Sequence, residues 1–146
     1  MIPCGVTTHP QTAWVVFSDE TDLWRLRFLK RGFRHCYVLF ADGDKWCSID
    51  PLSHVTEIGF HQFSTTFNLP LWLKSQGHVV VQVSMKEAAA RPAPLMLMSC
   101  VEAVKRLLGI HNRWVITPWQ LYRHLLKCDG YKKQKGDSYG KSCIQA

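Results

Sequence analysis

The stretch Arg34–Pro51, RHCYVLFADGDKWCSIDP, decides the fold. Two runs rich in β-branched and aromatic residues flank Asp42-Gly43-Asp44, and this combination predicts a β-hairpin. A strand turns successive side chains to opposite faces. Cys36, Val38 and Phe40 therefore share one face, and His35, Tyr37 and Leu39 share the other. If the turn is tight, with Asp42 opposite Lys45, then Tyr37 faces Asp50 and His35 faces Leu52. Asp50 then lies diagonally from His35 on the same face, within reach of a long side chain. A register slip of one residue would move Asp50 to the other face.

Outward from the hairpin, residues 12–19 (TAWVVFSD) predict a strand. Residues 19–32 (DETDLWRLRFLKRG) predict a helix capped by Asp19 or Thr21 and stopped by Gly32. HVTEIGF at 54–60 extends the hairpin to a third strand, and NLPLWLKSQG suggests a short helix ending at Gly77. HVVVQVS at 78–84 is a continuous apolar run suited to the centre of a sheet. KEAAARPAPL at 86–95 reads as a loop. MSCVEAVKRLLG at 98–109 predicts a helix: Ser99 is its N-cap, Glu102 stands three residues on, and Gly109 stops it. Val101, Val104, Leu107 and Leu108 form its apolar face, with Lys105 and Arg106 facing out. ITPWQLYRHLLKCDG at 116–130 predicts a helix with Thr117 as cap, Pro118 in the first turn and Gly130 at the end. The order predicts an α+β fold, an antiparallel sheet packed against helices. Its 146 residues suit one α+β domain, assigned to residues 1–130, with residues 131–146 as a basic, flexible tail.

Composition narrows the function classes. At 47% hydrophobic and 20% charged residues the chain is neither disordered nor collagen-like. No apolar stretch approaches the roughly 20 residues needed to span a bilayer. MIPCGVTTHPQ has neither a basic n-region nor an apolar core, so no signal peptide is expected, and the reading is a cytoplasmic protein. Residues 1–104 hold nine basic and nine acidic side chains. Residues 105–146 hold nine and two, and so carry the whole net charge of +7. Such a region suits a nucleic acid or another anionic polymer, and equally a solvated helix face.

The six cysteines, at 4, 36, 47, 100, 128 and 143, include no CxxC pair. Neither a thioredoxin motif nor a common zinc site is expected, and no cofactor is implied. Cys100 differs from the rest by its position. The cap at Ser99 sets it in the first turn of a helix, where unpaired N–H groups and the positive end of the dipole favour an anion. A thiol there is acidified toward the reactive thiolate, and the same N–H groups can stabilise an oxyanion. Free cysteines also pack as small core hydrophobes. His35 is a candidate proton acceptor for Cys100, with Asp50 to orient the ring. His78 opens a strand and is an alternative base. His54 and His61 are too widely spaced to indicate a metal, and His111 and His124 read as surface residues. Trp46, Trp72, Trp114 and Trp119 fit the core or its rim.

A His opening a strand (RHCYVLF), a polar residue in the next (WCSIDP) and a later Cys at a helix start (SCVEAVKRLLG) resemble the circularly permuted papain-like superfamily. That group includes lecithin retinol acyltransferase-like proteins and permuted cell-wall endopeptidase-like thiol hydrolases of bacteria. The resemblance spans about residues 33–108. It implies Cys100 as nucleophile, His35 as base and acid, and Asp50 as orienting group, acting on an amide or ester carbonyl through a thioacyl intermediate. Two other readings stand beside it. One is a nucleic-acid-binding module built on the basic C-terminal region, with Trp114, Trp119, Tyr122 and Tyr131 as stacking platforms. The other is a catalytically inactive interaction module on the same fold, of phage or bacterial origin.

Overall fold

The computed structural model describes residues 12–20, 27–85 and 99–127. In chain order they form β1 (Thr12–Ser18), β2 (His35–Asp42), β3 (Lys45–Pro51), β4 (Thr56–Ser64), α1 (Leu69–Ser75), β5 (Val79–Ser84), α2 (Cys100–Leu107) and α3 (Pro118–Lys127). The five strands make one antiparallel sheet in the order β4-β3-β2-β1-β5. The architecture is therefore α+β, as expected.

The β2–β3 hairpin has the expected register, with Asp42 opposite Lys45 and Val38 opposite Ile49. Gly43 has φ +57°, and no non-glycine residue among those described has a positive φ. A positive φ at the first turn position only is the sign pattern of a II′ turn, whose twist matches that of the flanking strands.

Helices cover both faces of the sheet. On one face Val15, Phe17, Cys36, Val38, Val81 and Val83 pack against Val101, Val104 and Leu108 of α2 and Leu121 and Leu125 of α3. On the other, Val16, Leu39, Trp46 and Val80 pack against Leu69 and Leu73 of α1. Each such fully buried large side chain stabilises the fold by about 1.5–3 kcal/mol relative to exposure.

Double coverage corrects one expectation. Among the described residues, the VVV run of β5 sits at an edge of the sheet, beside β1 alone. Its continuous apolar pattern arises because α1 closes one face while α2 and α3 close the other, so a central position is not needed. The strand at the centre is β2.

The helix expected over 19–32 is also revised where it can be followed. Residues 21–26 lie outside the described residues; 27–28 form a single 3₁₀ turn, and Phe28 is 88% exposed. Asp19 caps nothing. One carboxylate oxygen accepts the Gly32 N–H at 2.8 Å and the other pairs with Arg34 at 3.2 Å, closing a loop that leads into β2. Asp side chains compete in this way with helical backbone bonding. Gly32, at φ +78°, makes the turn that this loop requires.

The short helix before Gly77 and the third strand are both present, as α1 and β4. In α3 the Thr117 hydroxyl accepts the Gln120 N–H, while Gln120 Oε1 accepts the N–H groups of Ile116 and Thr117. The expected loop at 86–95, the helix end at Gly130 and the basic tail lie outside the described residues. Among the described residues, no helix is long and apolar enough to cross a membrane.

Candidate active site

Ser99 has an extended backbone, and its hydroxyl accepts the Glu102 N–H at 3.2 Å. The Ala103 N–H bonds the Ser99 carbonyl. The cap therefore fixes the start of α2 and makes Cys100 its first residue. The amides of Cys100 and Val101 precede the first intrahelical bond, so helix geometry gives them no backbone carbonyl to meet.

The remainder of α2 departs from the amphipathic expectation. Lys105 does not face out: it is 3% exposed. Its ammonium lies 2.7 Å from a Glu102 carboxylate oxygen and 3.1 Å from the Val115 carbonyl. Glu102 is 5% exposed and also pairs with Arg106 at 3.2 Å. Burial alone would raise the Glu102 carboxyl, but hydrogen bonds from Lys105 and Arg106 outweigh it and hold the group below its ordinary value. A depressed carboxyl contributes stability above the unfolded value, and that contribution is lost as pH falls through the lower, folded one. Glu102→Gln is expected to lower unfolding stability by about 3–5 kcal/mol, because it strands the Lys105 charge in the interior. Urea denaturation measures this.

His35 is the first residue of β2 and Asp50 lies in β3. The paired register runs to Val38 opposite Ile49; continued by one residue it sets Tyr37 opposite Asp50 and Asp50 diagonally from His35, as the sequence indicated. The His35 Nε2–H donates to Asp50 Oδ1 at 2.6 Å. That bond leaves Nδ1 as the ring nitrogen open to the thiol.

α2 packs on the face of β2 that carries Cys36, and Cys100 packs against the core cluster that holds Cys36, near enough to His35 and Cys36 for the three groups to shift one another's acidity. The imidazole alternates to the opposite face from Cys36, yet it meets Cys100 because it stands at the end of the strand. All three residues named from the sequence thus converge: thiol to imidazole to carboxylate. His78, the alternative base, lies before β5, at the sheet edge away from Asp50.

The electrostatics follow from these contacts. Cys100 is lowered from 9.0 to about 5. The side-chain hydrogen bond from Cys36 is the leading cause. Burial opposes it, and the His35 hydrogen bond and charge and the Cys36 backbone N–H add to it. Burial alone would lower His35, but hydrogen bonds to Asp50 and Cys100, with both their charges, raise it from 6.5 to about 9. Both shifts run in the direction that favours the thiolate–imidazolium form of the pair. Tyr37, whose ring stacks beside His35, is pushed up to about 12 by burial and by the charges of Asp50 and Glu20, so its phenol stays neutral.

Cys36 was missed as a site residue. Its alternation marked it as core, and it is fully buried. Its thiol is pushed well above 9 by the hydrogen bond to Cys100, by burial and by the charges of Cys100 and Asp50, which makes it a donor to the thiolate. The signal available in the sequence was its place beside His35 at the opening of β2. His61, set aside in the sequence, meets the Ser48 hydroxyl at 3.0 Å. Among the described residues no group of three or more His, Cys, Asp or Glu side chains is disposed to hold a metal ion. Of the tryptophans, Trp46 is buried, with its N–H on the Phe67 carbonyl, whereas Trp114 is 72% exposed.

No protein-family model, curated protein or solved structure matches the chain.

Proposed function

We propose that the protein is a cysteine hydrolase or acyl transferase acting on an amide or ester carbonyl, on a circularly permuted papain-like arrangement. The observation that carries this reading is the His35–Asp50 hydrogen bond, with the Cys100 sulfur at the start of α2 near enough to the ring for the two groups to shift each other's acidity. The Cys100 thiolate attacks the carbonyl carbon and forms a carbon–sulfur bond. The oxyanion is met by the backbone N–H groups that open α2. His35, protonated at rest, gives its proton to the leaving amine or alcohol as the tetrahedral species collapses to a thioester. The neutral ring then takes a proton from water or an acceptor amine, which attacks the thioester and frees the sulfur. Asp50 holds the ring by Nε2 and favours its charged form, which makes it a positioning residue.

The substrate is an amide- or ester-bearing molecule. Activated esters test the reading. Brief incubation with p-nitrophenyl acetate should add the mass of one acetyl group, and peptide mapping should place it on Cys100. Acetylation confined to other residues would overturn the assignment.

A further inference from the structure

Cys36 and Cys100 are both free thiols on different elements: Cys100 opens α2, which packs on β2, and its side chain lies against the core cluster that holds Cys36, near enough for each thiol to shift the other's acidity. Cys36 has no exposed surface, while Cys100 is half-buried. A serine hydroxyl at position 36 would supply the same donor to the Cys100 sulfur without any redox chemistry. A thiol adds a second reaction, because a thiolate that meets an oxidant beside another thiol has a resolving partner at hand.

We propose that Cys36 and Cys100 form a reversible disulfide when the protein meets hydrogen peroxide, with Cys100 the sulfur that is oxidised first and Cys36 the sulfur that resolves it. The Cys100 thiolate attacks one peroxide oxygen and the O–O bond breaks. The departing hydroxide takes the His35 proton and leaves as water, so Cys100 becomes a sulfenic acid and the peroxide is reduced by two electrons. His35, now neutral, takes the Cys36 proton. The Cys36 sulfur attacks Cys100, the S–O bond breaks, and the hydroxide that departs takes that proton to leave as a second water. In sum, two thiols and one peroxide give one disulfide and two waters. A dithiol such as dithiothreitol reverses the reaction by attack on the Cys100 sulfur, the less buried of the two. Bridging requires the sulfurs to close to about 2.05 Å. The inference rests on the packing of Cys100 against the cluster that holds Cys36 and is independent of the acyl-transfer reading.

The full chain is treated with a small excess of hydrogen peroxide near neutral pH, blocked with iodoacetamide, digested without reductant and mapped by mass spectrometry. A peptide linking Cys36 to Cys100 is expected, and dithiothreitol should restore both thiols. In Cys36→Ser, far-UV circular dichroism serving as the folding control, Cys100 should instead persist as a sulfenic acid that dimedone captures. A bridge joining Cys100 to Cys4, Cys47, Cys128 or Cys143, or a Cys100 sulfenic acid that persists equally in the unaltered protein, would overturn the proposal. The map of the unaltered protein decides even if the variant fails to fold. Acetylation of Cys100 by the activated ester is scored separately, so either reading can fail alone.

Discussion

Cys100→Ala is expected to abolish turnover of activated esters, with kcat lower by on the order of 10⁶-fold, the scale of removing a covalent nucleophile. The change should cost the fold little. Cys100 sits at the first position of α2, Ala is a strong helix former, and the cap is made by Ser99 through the Glu102 N–H. A folded Cys100→Ala protein that still hydrolyses p-nitrophenyl acetate at the unaltered rate would remove Cys100 from the chemistry. Cys47→Ala is the matched control. Its thiol is buried in β3, opposite Phe40, and lies outside the Cys100–His35–Asp50 contacts. It should keep turnover while losing some stability.

His35→Ala should lower kcat by roughly 10²–10⁴-fold, the usual contribution of a positioned acid–base group. Two effects combine. The leaving group loses its proton donor, and Cys100 loses the hydrogen bond and the charge that help to keep it ionised. The Cys36 contacts remain, so the thiol moves upward without losing every source of its acidity. The unaltered enzyme should show a bell-shaped profile bounded near pH 5 and pH 9, which reports the pair and not either residue alone. In His35→Ala the acidic limb should move upward and the alkaline limb should vanish. A variant with the profile of the unaltered protein would place the proton transfer elsewhere.

Much of this site was legible because its key pairing lies within one hairpin. Asp42-Gly43-Asp44 sets the turn, the turn sets the register, and the register puts Asp50 diagonally from His35. The start of α2 was legible for a similar reason, since Ser99 and Glu102 form a local capping signal. What the sequence hid depends on tertiary surroundings. Lys105 looked like a solvent-facing charge, because nothing local reveals that Val115 supplies a carbonyl and Glu102 a carboxylate inside the fold. The β5 run could not reveal its edge position, since helices on both faces give the same apolar pattern as a central place in the sheet. Asp19 reads as a helix cap, and nothing local reveals that Gly32 and Arg34 bond its oxygens. Strand alternation separated Cys36 from His35, and only the arrival of α2 at the end of β2 brings both to one sulfur.

The state of that sulfur is the central claim, and the pH dependence of Cys100 alkylation tests it most directly. The rate of iodoacetamide labelling at Cys100, read from peptide masses between about pH 4 and pH 10, should rise with a midpoint near 5 and then run level. A second change is expected near 9, as His35 gives up its proton. A single rise near 9, the ordinary value for a cysteine, would show that no imidazolium and no Cys36 thiol holds Cys100 as a thiolate, and would contradict the account.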